Sequence, residues 1–469
     1  MPVDLERSAR EVDIASVTYK NLSKNLQANI IKAHGRNNVR HVFIRFSGSE
    51  ATISAWIKSH VAPKITNTTQ QNAQIAQRAS NPSFDGGTVT TFFLSASGYK
   101  KLNRDVGRFA SKAFRSGMKD QDDSKDPLPT TWESGFQGEV DALVAIGDSV
   151  AATADAAAQQ IASSLGGVGT VMTIEEGFVL RRPVQGGDAE PIEHFGYFDG
   201  ISNPIYTSRD LTSEAAKIPV GPDWDPSAPL SLVLAPDPFA GNVEDAFGSY
   251  LVYRKLGQNV AQFNAAVISL ATTLGTNPDL AGAMLVGRFK DGTPVVERDT
   301  PTPGLEVSND FNYDGDDDSF RCPAHAHIRK ANPRGTTPLT SLSSERKRRI
   351  TRRGIPYGKP VPGVVGQSVP SDASLSAKRG LLFLCFQRNI EKQFEFIQQT
   401  WIDNPRFPNL LNPTGDDPLI GQDRDEGQRW PNSWGVKSAG KKRVNVEAAV
   451  TLKGGEYFFA PSTAFFVTL

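Results

Sequence analysis

The hydrophobic and polar positions divide the first half of the chain into short apolar segments that alternate with helical ones. Residues 41–48, 88–97, 142–147 and 168–179 are short, rich in β-branched, aromatic or apolar residues and bounded by turn residues, which predicts strands. Residues 151–165 are alanine-rich and end at glycine, which predicts a helix. This spacing favours an α+β fold with an antiparallel sheet over a doubly wound parallel sheet.

The second half repeats this order after a long irregular connection over residues 181–248. A strand at 249–256 is followed by a helix at 258–274, and a strand at 380–386 leads into an amphipathic helix at 389–401. Two further strands, at 444–452 and 457–468, are expected to join across Lys453-Gly-Gly. The similar element order predicts two copies of one α+β domain.

The composition excludes several classes of partner. Lysine plus arginine number 51, as do aspartate plus glutamate, so the chain lacks the basic excess that non-specific nucleic-acid binding needs. The basic cluster at 346–353 has no long apolar helical face beside it, which argues against a membrane-surface protein. No run approaches the ~18 apolar residues of a membrane-spanning helix.

The compartment is expected to be the cytoplasm. Two cysteines, Cys322 and Cys385, are too few for a disulfide framework in 469 residues. Charged residues stand within the first seven positions, where a signal peptide would carry its apolar segment.

His325 and His327 form the one close pair among six histidines. They would share a face on a strand and point apart on a helix. With Cys322 they suggest zinc, but a structural zinc site needs four ligands and no second Cys/His group is near in sequence. Two interpretations remain: a single histidine that ligates iron or acts as a base, or hydrogen-bonded core histidines.

Two further segments carry candidate chemistry. Gly196-Tyr-Phe-Asp199-Gly200 is ordinary turn chemistry as a bare Asp-Gly, but its aromatic surroundings would make the carboxylate available for proton transfer. Arg352 and Arg353 lead directly into Gly-Ile-Pro-Tyr-Gly, a rigid turn that restricts their side chains. The absence of G-x-S-x-G, H-E-x-x-H and a complete G-x-G-x-x-G argues against common hydrolases, zincins and nucleotide-binding enzymes.

Taken in order, these segments resemble the dye-decolourising peroxidase family, whose hallmark is Gly-x-x-Asp-Gly. The resemblance extends over residues 190–469 through the histidine segment at 322–334 and the segments at 352–358, 380–383, 393–396 and 451–462. It looks most like the longer, cytoplasmic members. It implies two ferredoxin-like α+β domains with antiparallel β-sheets flanked by helices, of the dimeric α+β barrel type, and one haem b per chain in the C-terminal domain.

The resemblance also implies a role for each matched residue. His327 would be the proximal ligand of the haem iron, with His325 as a neighbour. Asp199 would be the distal acid–base residue, because a carboxylate in a tight pocket can accept a proton from peroxide and return it to the leaving oxygen. Arg352 would contact the cofactor and stabilise the charge on the leaving hydroxide. Arg353 takes that role if the register is shifted by one.

The family also has an acid beside the proximal histidine, which gives the imidazole anionic character. Asp417 is the candidate for this acid, and Asp416 and Glu395 stay open.

The function implied is that of a haem peroxidase that reduces hydrogen peroxide through a ferryl intermediate and oxidises dyes and phenolic compounds, with Mn(II) as an open further substrate. The alternatives are a haem-binding or iron-handling protein on the same fold with little turnover, and a structural α+β protein without haem. The expected partners are hydrogen peroxide and an aromatic dye or phenolic reductant, with no nucleic acid and no membrane. The sequence leaves homo-oligomerisation open.

The implied domain division has four parts. An N-terminal arm covers residues 1–20, an N-terminal ferredoxin-like domain 21–190, a connection that carries the Gly-x-x-Asp-Gly motif 191–247, and a C-terminal ferredoxin-like haem-binding domain 248–469.

Overall fold

A computed structural model of the chain describes residues 2–120, 125–183, 189–216, 221–302, 309–337, 340–359, 379–408, 413–422 and 427–469. The strands within these residues are β1 (Asn38–Phe46), β2 (Val89–Leu94), β3 (Ala142–Asp148), β4 (Gly169–Phe178), β5 (Leu180–Arg182), β6 (Glu190–Ile192), β7 (Ala235–Pro236), β8 (Phe247–Gln258), β9 (Thr351–Arg352), β10 (Ile355–Tyr357), β11 (Gly380–Gln387), β12 (Gln428–Pro431), β13 (Lys441–Val444) and β14 (Val450–Ala460).

The α-helices within the same residues are α1 (Lys20–Asn25), α2 (Glu50–Trp56), α3 (Thr68–Ser80), α4 (Ala96–Lys101), α5 (Lys112–Ser116), α6 (Ser134–Gln137), α7 (Ala151–Ser164), α8 (Ser208–Ala215), α9 (Val260–Leu274), α10 (Pro278–Val286), α11 (His327–Ala331) and α12 (Leu342–Arg346). Ile57–Val61 and Phe396–Ile402 are π-helical. In the described part of the chain, no helix is both long and apolar enough to cross a membrane.

Each half of the chain forms an antiparallel sheet with the same strand order. In the first half the order is β4-β1-β3-β2, and in the second half it is β14-β8-β11-β10. Numbered within each half, both orders are 4-1-3-2, which is the ferredoxin-like order. The α+β fold with two ferredoxin-like units is therefore confirmed.

The two sheets close into one barrel through two narrow junctions. Leu94 of β2 pairs with Phe459 of β14, and Gly177 of β4 pairs with Tyr357 of β10. Closure leaves the principal strands without free edges. Aromatic side chains from both halves pack in a shared core: the ring of Phe43 lies 4.8 Å from that of Tyr253. The domain boundaries at residues 20, 190 and 247 stay predictions.

Most of the predicted elements are confirmed. The strands predicted at 41–48, 88–97, 142–147, 168–179, 249–256 and 380–386 correspond to β1, β2, β3, β4, β8 and β11, and the helices at 151–165 and 258–274 to α7 and α9. Helix α9 is capped at its start by Asn259, whose side chain accepts from the Gln262 amide, and at its end by Gly275 in the left-handed conformation.

The predicted turn across Lys453-Gly-Gly is wrong. Strand β14 continues through these residues, with only a shift in register between Leu452 and Gly454, and it ends at Ala460. Both glycines make room for other elements: a Cβ on Gly454 would overlap the Phe136 ring, and one on Gly455 would lie 2.5 Å from Met118 Sδ. Val444 instead belongs to β13, which pairs with β12.

The helix predicted over 389–401 is confirmed only in its second part. Residues 390–393 form a turn, and regular helix begins at Phe394 and becomes π-helical over Phe396–Ile402. The turn is held by side chains, because the Asn389 side chain accepts from the Lys392 amide and the Gln393 side chain accepts from the Asn389 amide.

Candidate active site

One cavity in the C-terminal half is lined by Asp199, Arg352 and His327. It contains about 1200 Å³ of space not occupied by protein atoms, part of it open to solvent. Asp199 lies in the loop after β6, Arg352 ends β9, and His327 begins α11. We call the cavity that these three residues line the main cavity. The structure thus brings the three residues together, although they lie on separate elements and Asp199 and Arg352 are 153 positions apart in the sequence.

The loop that carries Asp199 is shaped by the half-buried carboxylate of Glu193. Glu193 accepts from the amides of Phe195 (2.9 Å) and Tyr197 (3.0 Å) and from the Gln258 side chain (2.5 Å). Burial raises the pKa of Glu193 to about 7, although these donors act in the opposite direction. Gly196 between them has φ of +89°, a conformation that favours glycine. The Asp199 amide then donates to the Pro191 carbonyl, which fixes the loop against β6.

The same loop holds Arg352. The Asn203 side chain accepts from the Arg352 amide at 2.9 Å, and the Ile201 carbonyl accepts from the Arg352 guanidinium. Strand β9 also pairs with β11, where Arg352 is opposite Cys385. Arg352 is therefore fixed by the Gly-x-x-Asp-Gly loop on one side and by the barrel on the other.

Asp199 is placed where its proton affinity is increased. Burial raises the pKa of its carboxyl, while the positive charge of Arg352 and the Gly200 amide act in the opposite direction. Burial also lowers the pKa of Arg352, opposed by the charge of Asp199. A carboxyl whose pKa is raised holds a proton more readily than an ordinary aspartate, and here it still faces a fixed positive charge.

Arg353 is held outside the main cavity. Its guanidinium donates to the carbonyls of Asn29 (2.8 Å), Ile30 (2.9 Å) and Arg352 (2.9 Å). It lines a second cavity instead. The geometry therefore favours Arg352 over Arg353 as the neighbour of Asp199.

His327 is hydrogen-bonded to Asp417. The distance between His327 Nδ1 and Asp417 Oδ2 is 2.7 Å, and the Asp417 side chain is fully buried. The other oxygen of Asp417 accepts from the amides of Leu419 (2.7 Å) and Ile420 (3.1 Å). Burial by itself would raise the pKa of Asp417, but the imidazole and these amides together lower it. Because Nδ1 is engaged, His327 presents Nε2 as its other ring nitrogen.

The loop that carries Asp417 is attached to α11 by Lys330. The Lys330 side chain is fully buried, and its Nζ donates to the carbonyls of Asn404 (2.7 Å) and Gly415 (2.5 Å). Burial lowers the pKa of Lys330 to about 8, opposed by the charges of Asp416, Asp417 and Asp403. His327 and its carboxylate partner are thus connected twice, directly and through Lys330.

The alternative residues lie elsewhere. His325 is fully buried with its ring 4.3 Å from that of Trp430, and it is not among the described residues that line the main cavity. The carboxylate of Glu395 accepts from the Tyr457 hydroxyl at 3.0 Å. Asp416 is buried near Lys330. The segment that contains both histidines is a turn followed by α11 and not a strand.

The residues of the main cavity fit a haem group. Its wall includes the apolar side chains of Val286, Ile328, Phe383, Phe394, Ile397, Ile402 and Ile420. Arg334 and Arg349 also line it, and within the described residues their guanidiniums donate to backbone carbonyls, a hydroxyl and an amide oxygen. Arg334 is buried and Arg349 is half-buried. Guanidiniums that are not hydrogen-bonded to a carboxylate, beside an apolar space, suit a flat apolar ligand with carboxylate groups.

Sequence reasoning missed Glu193, Lys330, Arg334 and Arg349. Lys330 and Arg334 lie inside the segment that contains His327, and Glu193 stands three residues before Gly196. Their position within the motifs was an available signal. The contacts that they make inside the protein were not, because charged side chains are more often exposed.

Comparisons with known proteins find relatives that match the whole chain. Residues 190–412 match the family model described as Dyp-type peroxidase, C-terminal. The chain is 37% identical over its full length to the full length of the multifunctional dye peroxidase DyP2 of Amycolatopsis sp., and 31% identical over 98% of its length to 89% of peroxidase 2 of Mycetinis scorodonius.

Solved structures give the same result. The crystal structure of a DyP-type peroxidase from Anabaena sp. superposes with a TM-score of 0.87 at 41% identity, with 96% of this chain and 94% of that one covered. The structure of DyP2 from Amycolatopsis sp. superposes with a TM-score of 0.91 at 36% identity over all of both chains.

Proposed function

Because the chain belongs to the Dyp-type peroxidase family, and is a hydrogen-peroxide-dependent peroxidase that oxidises dyes, we propose that its reaction takes place in the main cavity at Asp199 and Arg352, with haem b held by His327. The single observation that carries this proposal is that one cavity is lined by all three residues while Asp417 bonds to His327. The comparisons do not favour the alternative of a haem-binding protein with little turnover.

Haem b, when bound, would supply an iron centre that gives two electrons to hydrogen peroxide and regains them singly from a reductant. The protein supplies the proton transfers. Asp199 in its carboxylate form accepts a proton from one peroxide oxygen and returns it to the other, which leaves as water. Its raised pKa suits both transfers, because the base must release the proton it has accepted.

Arg352 stabilises negative charge beside Asp199. As peroxide's O–O bond breaks, charge accumulates on the leaving oxygen, and a fixed guanidinium lowers the energy of that charge. The backbone amide of Arg352 donates to Asn203 and its guanidinium donates to Ile201, so the residue is held in place before the reaction. Electrostatic stabilisation of this kind needs no rearrangement during the chemical step.

His327 and Asp417 form the iron-binding pair. His327 would bind iron through Nε2, and the carboxylate on Nδ1 would increase the electron donation of the imidazole. Arg334 and Arg349 would pair with the haem propionates. The phenolic reductant, Mn(II) oxidation, homo-oligomerisation and the cytoplasmic location stay predictions.

The test is rapid mixing of the purified, haem-loaded protein with hydrogen peroxide, followed through the Soret band. We expect Asp199→Ala and Arg352→Leu to bind haem normally and to react with peroxide at least ~10²-fold more slowly than the unmodified protein. His327→Ala is expected to lose or weaken haem binding.

Arg353 provides the matched control. Arg352→Lys keeps the charge but loses the planar guanidinium geometry, and should slow the peroxide reaction, whereas Arg353→Lys should not. Normal peroxide rates in both Asp199→Ala and Arg352→Leu would show that the reactive pair has been wrongly assigned.

A further inference from the structure

A second cavity reaches Asp199 and Arg352 from another part of the molecule. Asp199, Gly200 and Arg352 line both cavities, but most of the other residues of the second one come from the first half of the chain, including residues of β1, β2 and β3. Its outer part includes the exposed residues Ala33, Gly35 and Arg181. The shared reactive pair is thus accessible from two differently built spaces.

The second cavity is basic. Among the described residues that line it, Arg36, Arg181, Arg352 and Arg353 carry positive charge and Asp199 is the one acid. Lys32 and Arg78 line a surface hollow that shares residues 33–36 with it. Asp210 pairs with Lys32, whereas the hydrogen bonds of Arg36 and Arg353 go to carbonyl and amide oxygens and not to carboxylates. Asp85 and Asp148 act electrostatically on Arg36, and Asp210 on Arg353, but none of these acids lines the cavity.

The two histidines of this cavity are neutral. Burial and the neighbouring arginines lower the pKa of His34 to about 3, and burial next to His34 and Arg40 lowers the pKa of His41 to about 3. His34 Nδ1 accepts from the Arg36 amide at 2.9 Å, so the ring proton is on Nε2 and His34 offers an N–H donor. Gly147 allows this position, because a Cβ there would lie 2.8 Å from the His34 ring.

A cavity lined mainly by one sign of charge raises the local concentration of the opposite ion. Hydrogen peroxide has no net charge, so this basic lining would not concentrate it, whereas it would attract an inorganic anion. We propose that this cavity is a binding and access site for a small monovalent inorganic anion beside Asp199 and Arg352. The inference rests on the proposed function, since it takes these two residues as the reactive pair.

The first experiment measures the rate at which azide, an anion at neutral pH, binds to the haem-loaded protein, from the shift of the Soret band. The rate constant should fall steeply as ionic strength rises from about 0.01 M to about 0.5 M, because the Debye length decreases from about 30 Å to a few ångströms. The double variant Arg78→Glu/Arg181→Glu should bind azide roughly fivefold or more slowly at low ionic strength, and with little salt dependence.

The matched control changes net charge equally elsewhere. Arg7 and Arg45 are exposed and line neither cavity, so Arg7→Glu/Arg45→Glu should bind azide at a nearly unchanged rate. Equal slowing in both double variants would mean that only the overall charge matters, and would overturn the proposal.

A second pair of variants tests the route. Ala33→Trp places a large ring at the outer end of the cavity and should slow azide binding, whereas Ala76→Trp, at an exposed position of α3 that does not line the cavity, should not. Unchanged azide binding in Ala33→Trp would show that the anion enters through the main cavity.

The same preparation separates the two proposals. If peroxide leaves the Soret band unchanged while azide binds as expected, the proposed function fails and the anion site stands. If peroxide reacts but azide binding is independent of salt and of Arg78 and Arg181, the proposed anion site is wrong and the proposed function is not affected.

Discussion

At Asp199, burial and the charge of Arg352 act in opposite directions on the proton affinity, and burial has the larger effect. The carboxylate form is needed to accept the peroxide proton, so the rate of the peroxide reaction should rise with pH as Asp199 deprotonates, above the ordinary range for aspartate. Asp199→Asn should slow the reaction by about 10²–10⁴-fold and remove this dependence. Stopped-flow rates measured from acidic to neutral pH test this, and an unchanged pH profile in the variant would exclude Asp199 as the base.

At Asp417 the important property is charge. Asp417→Asn removes the negative charge from the atom that contacts His327 Nδ1, so the oxidised iron would be less stabilised and the midpoint potential of the haem should shift upward. Potentiometric titration measures the shift. Asp416→Asn is the control, because Asp416 is also buried but is not the hydrogen-bond partner of His327. An equal shift in both variants would indicate a general charge effect.

The connection between α11 and the loop after the π-helix depends on Lys330. Lys330→Met would leave the carbonyls of Asn404 and Gly415 without their donor and remove the cation near Asp416 and Asp417. We expect a loss of about 3 kcal/mol in the free energy of unfolding, measured by urea denaturation. Lys330→Arg keeps the charge and should lose less; equal losses would mean that space, rather than charge, determines the effect.

Some strands could be predicted from the sequence and others could not, depending on the local residue pattern. Strands such as β1 and β8 were predictable because their apolar residues are continuous and bounded by turn residues. Strand β14 was divided wrongly because Gly454 and Gly455 signal a turn locally, whereas here they accommodate Phe136 and Met118 from distant elements. The contact of Glu193 with Gln258 was equally inaccessible, since it depends on tertiary packing.

At the scale of the whole molecule, the two-copy architecture was predictable from repeated element order, whereas the barrel was implied only by the resemblance. The two sheets are joined by strand pairing at single residue pairs, Leu94 with Phe459 and Gly177 with Tyr357. Because each junction involves so few residues, it leaves no recognisable pattern in the sequence. The functional site also has one part that was predictable from the sequence and one that was not. The motifs identify Asp199, Arg352 and His327 through the resemblance, while the second cavity depends on residues from the first half that no motif includes.

The shared core leads to a prediction about cooperativity. Phe43 and Phe136 from the first half contact Tyr253 from the second, with Phe43 and Tyr253 centroids 4.8 Å apart, so neither sheet can open without exposing the apolar face of the other. We expect the haem-free protein to unfold in a single calorimetric transition whose calorimetric and van't Hoff enthalpies agree. Haem should raise the transition temperature as one unit, because it binds only the folded state. Two separate transitions, of which haem shifts only one, would instead support independently folding domains divided near residues 190 and 248.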